Sequence, residues 1–210
     1  MSAGIFQKML VGCVITYNDM PLIKDCIESL YNKVDKIVAV DGRYSDFPGD
    51  GWDSTDGTLE YLCSIDKADV ISTMNFTELD KRNRYLEELE DGDIVLNLDS
   101  DEVLVGKIPK LGADFGIIEL VDNHCGKVQT RATRFFKYRK GLRYENVHFT
   151  LYYKGEQVNS LKKIVNPDFS FEIIKGCHIE HNWHKRSELR RHYKGIYYKK
   201  LVKAESGYPR

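Results

Sequence analysis

Between Leu10 and Asp101, short runs of β-branched and aliphatic residues alternate with stretches of helical periodicity, and each run stops at a polar cluster. This alternation constrains the chain to a mostly parallel sheet flanked by helices, because parallel neighbours need a crossover connection and an amphipathic helix supplies one. Leu10 to Tyr17 reads as the first strand. Asn18 or Asp19 then caps a helix with Pro21 in its first turn, where a missing N–H is harmless, and with Leu22, Ile23, Cys26, Ile27 and Leu30 on one apolar stripe. Lys36 to Val40 forms a second strand that stops at Asp41-Gly42. Residues 43–56 are polar and glycine-rich, which predicts a loop long enough to cover a ligand. Thr55 to Cys63 reads as a helix and Asp69 to Met74 as a third strand. Thr77 with Asp80 forms a capping box for a helix running to about Glu90.

Ligands of such sheets sit at the carboxyl ends of the strands, near the point where strand order reverses. Three polar clusters fall at those ends: Thr16-Tyr17-Asn18, Asp41-Gly42 and Asp99-Ser100-Asp101-Glu102. The last closes the apolar run Ile94 to Leu98. Three carboxylates within four positions repel one another unless a cation offsets them. If the strand continues regularly, alternation sends Asp99 and Asp101 to one face, where they can share a hard divalent ion. The competing reading is a solvated turn with an Asx cap.

Beyond Gly106 the sequence changes to β-branched and aromatic runs, Phe115 to Val121, Arg131 to Tyr138 and Val147 to Tyr153, which predict mixed or antiparallel strands. Arg186 to Lys203 closes the chain as a basic helix. With 210 residues and no linker or repeat, a single domain is expected over residues 1–210. The net charge of −1 hides an asymmetry: 9 Lys+Arg against 22 Asp+Glu through Val105, then 22 against 10. The basic half is expected to face the acidic half or to attract phosphate on a donor or acceptor, or nucleic acid.

Five scattered cysteines without a close pair argue for reduced thiols and a cytoplasmic setting, and give no zinc site. The longest apolar stretch, Met9 to Tyr17, falls short of the roughly 20 residues a membrane helix needs.

Taken in order, Cys13-Val14-Ile15-Thr16-Tyr17-Asn18, Val38-Ala39-Val40-Asp41-Gly42, Ser54-Thr55-Asp56-Gly57-Thr58, Lys81-Arg82-Asn83 and Leu98-Asp99-Ser100-Asp101-Glu102 resemble the family 2 glycosyltransferases with the GT-A fold. The resemblance covers about the first half of the chain. It implies a nucleoside diphosphate sugar as donor, UDP-sugars being the favoured class, with residues 1–105 as the donor half and 106–210 as the acceptor half. Thr16 and Tyr17 would line the base pocket, Asn18 would belong to the donor-binding set, Asp41 would hydrogen-bond the base, and Lys81 or Arg82 would lie near the nucleotide. Asp99, Ser100 and Asp101 would correspond to the Asp-x-Asp motif that binds ribose and a Mn²⁺ or Mg²⁺ ion.

The second half matches less closely. Arg134-Phe135-Phe136 and Tyr144 to His148 are similar to a segment in which a His-Glu pair follows, but Phe149 stands where the acid would be. Glu145 and His148 become the catalytic candidates, with Glu119 and Glu180 behind them. The segment from His178 to Trp183 resembles the family's late histidine segment, and His181 is the candidate third metal ligand. Alternation puts His178 and Glu180 on the opposite strand face.

Three functions follow. The first is metal-dependent glycosyl transfer to an acceptor that is a glycan, a phosphorylated or lipid-linked compound, or nucleic acid. The second is a catalytically silent GT-A-like domain that binds sugar nucleotide or nucleic acid. A nucleotidyltransferase ranks last, since Thr16 to Pro21 lacks the glycines of a phosphate loop.

Overall fold

The computed structural model describes residues 8–45, 47–145, 150–159 and 168–206. Its frame is set by β1 (Leu10–Thr16), whose β-branched residues are buried almost throughout. β2 (Lys36–Asp41) and β4 (Ile94–Asp99) pair with it in parallel on either side, and β3 (Ala68–Ser72) adds in parallel beyond β2. α1 (Leu22–Tyr31) and α2 (Thr58–Cys63) make the crossovers on one face. There Ile23, Cys26, Ile27, Leu30 and Leu62 pack with Val14, Ala39, Leu96 and Leu98. α3 (Glu78–Leu86) crosses on the other face, where Tyr85 and Leu86 meet Val11, Cys13 and Ile15. Its Thr77 capping box forms as the sequence predicts.

The rest of the sheet is mixed. After β5 (Glu102–Gly106) come β6 (Phe115–Asp122) and β7 (Lys127–Lys137), then β8 (Leu142–Glu145), β9 (Thr150–Tyr153) and β10 (Glu156–Gln157) as a separate three-stranded sheet. β11 (Phe171–Ile173) and β12 (Cys177–His181) return to the main sheet, whose order is β3-β2-β1-β4-β7-β6-β12-β5 with β11 beside β6. A 3₁₀ turn, Trp183–Lys185, leads into α4 (Glu188–Ser206). The fold class read from the sequence is therefore what the structure shows: a largely parallel sheet flanked by helices, a mixed β second half and a C-terminal helix.

Two features of this topology position the site. Strand order reverses at β1, with β2 and β3 to one side and β4 to the other, so the crevice for a ligand opens at the carboxyl ends of β1 and β4. β12 runs antiparallel to β5, pairing His181 with Glu102, and so brings the late histidine segment beside the acidic turn.

Candidate active site

The acidic turn does not continue as a strand. β4 ends at Asp99, Ser100 and Asp101 form the turn, and β5 begins at Glu102. Strand alternation therefore does not hold across the motif, and the two carboxylates face different partners. Asp99 meets Arg82 at 2.5 Å and Arg134 at 3.4 Å. Glu102 meets the same Arg134 at 2.9 Å and accepts from the Asp99 backbone N–H. Burial pushes the Asp99 carboxyl up, but Arg82 and Arg134 outweigh it and hold it well below the ordinary carboxylate range. The Glu102 carboxyl is raised, by burial first and then by its acidic neighbour Asp99, against the pull of Arg134.

Asp101 lies on the other side, 1 % exposed, 3.0 Å from Arg186 and 3.3 Å from His181 Nε2. Neither of its oxygens has a hydrogen bond. Burial pushes this carboxyl up, yet Lys194, Arg186 and His181 together hold it below the ordinary range. Conversely, burial lowers the His181 imidazole but Asp101 raises it further. His178 and Glu180 pair with each other at 3.8 Å, consistent with a shared strand face.

Asp19, which the sequence offers only as a helix cap, is a hub. It is 3 % exposed, accepts from Ser100 Oγ at 2.5 Å, and lies within ion-pair distance of both Arg186 and Arg190. Burial would raise its carboxyl, but the two guanidiniums and the Ser100 hydroxyl lower it overall. Arg190 also donates to the Tyr17 carbonyl at 2.6 Å and stands over the Phe47 ring at 4.5 Å.

These contacts wall a cavity of about 490 Å³ above the carboxyl end of β1, lined by Tyr17, Asn18, Phe47, Asp50, Arg190 and Tyr193 among others. Of the expected donor residues, Tyr17 and Asn18 reach it. Asp41 does not: it is fully buried and both its oxygens accept from Ser54, through Oγ at 2.6 Å and the backbone N–H at 3.0 Å. Both bonds hold loop 43–56 to the end of β2. Burial raises the Asp41 carboxyl despite them.

Lys81 is likewise fully buried, donating to the carbonyls of Thr16 at 2.5 Å and Gly42 at 2.7 Å, so it ties the ends of β1 and β2 together. Burial lowers its ammonium to about 7. The Thr16 hydroxyl is buried without a hydrogen-bond partner, while Ser100 bridges Asp19 and Arg186. Glu145 pairs with Arg143 at 3.3 Å on partly exposed side chains of β8. His148, the other catalytic candidate, lies outside the described residues.

Among the described residues no group of three or more His, Cys, Asp and Glu side chains is disposed to hold a metal ion. Two ligands are nevertheless well placed. Donors bound at right angles about 2.1 Å from one ion stand about 3 Å apart, and Asp101 Oδ2 and His181 Nε2 are separated by 3.3 Å without Asp101 making a hydrogen bond. Mg²⁺-type sites are commonly built from one or two protein ligands plus substrate phosphates and water. The pair fits such an ion; Asp99, clasped by two arginines, does not contribute as it stands.

No protein-family model matches the chain, and no curated protein matches it. Among solved structures it is similar to S. aureus TarS, at 24% identity and TM-score 0.43 over 56% of this chain and 22% of that one. It is also similar to a mannosyltransferase from Pyrobaculum calidifontis solved with GDP-Man and Mn²⁺, at 20% identity and TM-score 0.37, covering 56% and 37% of the two chains. A third is 4-diphosphocytidyl-2C-methyl-D-erythritol synthase, at 11% identity and TM-score 0.38, covering 62% and 72%. Likeness of this degree assigns no activity. No helix among the described residues is long and apolar enough to cross a membrane.

Proposed function

We propose that this chain is a glycosyltransferase of the family 2, GT-A-like kind, moving a sugar from a nucleoside diphosphate sugar to an acceptor hydroxyl. The observation that carries the reading is the cavity of about 490 Å³ at the sheet's switch point, aromatic on its walls and lined by Arg190, which the buried Asp19 holds from behind. Residues 1–105 supply the donor half and 106–210 the acceptor half of one domain.

Tyr17, Phe47 and Tyr193 offer ring faces and edges to a nucleobase, and the Asn18 amide offers a donor and an acceptor. Arg190 presents a guanidinium to the diphosphate. In transfer, the acceptor oxygen bonds to sugar C1 while the C1–O bond to the diphosphate breaks. The bonding pair departs with the nucleoside diphosphate, and the acceptor releases one proton. Asp101 and His181 would hold a divalent ion, which when bound stabilises the negative charge of the leaving diphosphate. Arg186 keeps Asp101 ionised and in place, and Asp19 keeps Arg186 and Arg190 aimed at the crevice.

One observation favours the silent, binding-only reading: Asp99 is fully engaged by Arg82 and Arg134. The same experiment decides between them. The purified protein is incubated with UDP-, GDP- and TDP-sugars plus Mn²⁺, and donor hydrolysis and nucleotide binding are measured. Metal-dependent hydrolysis of one donor supports transfer. Binding without hydrolysis supports the silent domain, and neither overturns both.

A further inference from the structure

Helix α4 divides its charges between an inner and an outer side. Inward, Arg190 reaches Asp19, Tyr197 stacks on Tyr44 and Tyr193 meets Phe47 edge-on. Lys194, four residues on from Arg190, stands near enough to Asp101 to hold its carboxyl down. Outward, Arg191, His192, Ile196, Lys199 and Lys200 are exposed. With about 3.6 residues per turn, these five positions share one half of the helix surface.

The inner charges are matched and the outer ones are not. Among the described residues, none of Arg191, Lys199 and Lys200 has an ion-pair partner. Glu188 is the one acid among the described side chains of this face, and it lies in the first turn, where the helix dipole already favours negative charge. From Arg191 to Lys200 the face therefore presents positive charge without a carboxylate.

A surplus of this kind attracts lipid headgroups or nucleic acid, and Ile196 decides between them. Its aliphatic chain is exposed between Arg191 and Lys199. Against a phosphate backbone that chain gains nothing, whereas at a bilayer it leaves water for the boundary between headgroups and acyl chains. Ile196 and Lys200 also form the exposed rim of a cavity of about 310 Å³, whose inner wall, Phe47 and Tyr193, borders the cavity above β1 as well. A surface laid against this face of α4 thus lies beside the mouth of the crevice.

We propose that the outer face of α4 docks on an anionic lipid bilayer, with Arg191, Lys199 and Lys200 meeting lipid phosphates and Ile196 entering the headgroup boundary. On the glycosyltransferase reading, this brings an acceptor held in the membrane to the crevice. The docking itself does not rest on that reading.

The test sediments the full chain with vesicles of phosphatidylcholine alone or with about a third phosphatidylglycerol, and measures UDP binding separately by calorimetry. Binding is expected to be about tenfold or more stronger to the anionic vesicles. Raising salt from about 0.1 M to about 1 M, which shortens the Debye length from about 10 Å to about 3 Å, should remove most of that gain. The double variant Lys199→Gln, Lys200→Gln should bind about tenfold or more weakly, and Ile196→Ser about threefold more weakly, with thermal melting showing that both fold. Equal binding to the two vesicle compositions, binding that ignores salt, or an unaltered double variant would each overturn the proposal. Tighter binding to a DNA duplex than to the anionic vesicles would overturn it in favour of nucleic acid. Vesicle binding without UDP binding would sink the donor reading and leave the docking surface standing; UDP binding without vesicle binding would do the reverse.

Discussion

At the scale of single residues, the site is built from buried ions that must be matched one by one. Arg134 is flanked by Asp99 and Glu102, and breaking such a buried pair from one side typically costs about 3–5 kcal/mol, because a charge is left without its partner. Arg134→Met is therefore expected to lower unfolding free energy in urea by that order at pH 8. The loss should shrink toward pH 5, since the already raised Glu102 can then take a proton and shed its charge. A pH-independent loss would show that Glu102 is not the stranded group. Lys81 supplies a second titration with the opposite trend. Its folded value of about 7 lies below the ordinary 10.5, so between these the unfolded chain binds one more proton and stability rises with pH. Below about 7 the contribution is constant. Between pH 7 and 8.5 the wild type should gain stability relative to Lys81→Met by at most about 1.4 kcal/mol per pH unit, the linkage limit for one proton. Parallel curves for the two proteins would place the Lys81 ammonium well above 8.5.

At the scale of elements, loop 43–56 is tied down rather than loose. Arg43 donates to the carbonyls of Gly51 and Phe47, its backbone N–H reaches Trp52, and Ser54 fastens the far end to Asp41 and Asn18. The backbone amides of Arg43, Ser54 and Thr55 should accordingly resist hydrogen exchange without any nucleotide. Ser54→Ala, which removes hydroxyl bonds worth about 1 kcal/mol each, should speed that exchange about tenfold or more. Rapid exchange across the whole loop in the wild type would contradict the stapling. This loop also shows where sequence reading stops. Period-two runs, the α1 stripe and the Thr77–Asp80 box are local signals, and each produced its element at the expected start. α3 ends at Leu86 rather than near Glu90, because the last polar positions close in turns. The alternation expected across Asp99–Asp101 failed for the same local reason, the strand stopping at Asp99, two residues before Asp101. Asp19 could not be recognised at all, since Arg190, one of the groups that makes it a hub, lies 171 positions away. On the last helix Tyr197 is buried, while its neighbour Ile196 is 40 % exposed.

At the scale of the whole molecule, the charge asymmetry between the two halves is partly resolved internally. Arg134, Arg186 and Arg190 of the basic half reach the carboxylates of Asp19, Asp99, Asp101 and Glu102 in the acidic half, joined by Arg82. Four carboxylates thus face four guanidiniums, and the crevice has no large positive surplus of its own. A nucleoside diphosphate entering it brings two or more negative charges that these arginines, already paired with carboxylates, offset only in part. A divalent ion at Asp101 and His181 would restore the balance, which leads to a discriminating expectation. Mn²⁺ should raise the affinity for UDP about tenfold or more by calorimetry, equivalent to about 1.4 kcal/mol, and EDTA should remove the gain. Uridine, which has no phosphate, should bind with the same affinity with or without the ion. Asp101→Asn should keep uridine binding and lose the Mn²⁺ response, because the amide cannot supply the charge that attracts the ion. If UDP and uridine respond alike, the ion does not act on the diphosphate. If Asp101→Asn retains the full response, the ion sits elsewhere and the arginines alone must carry the leaving group.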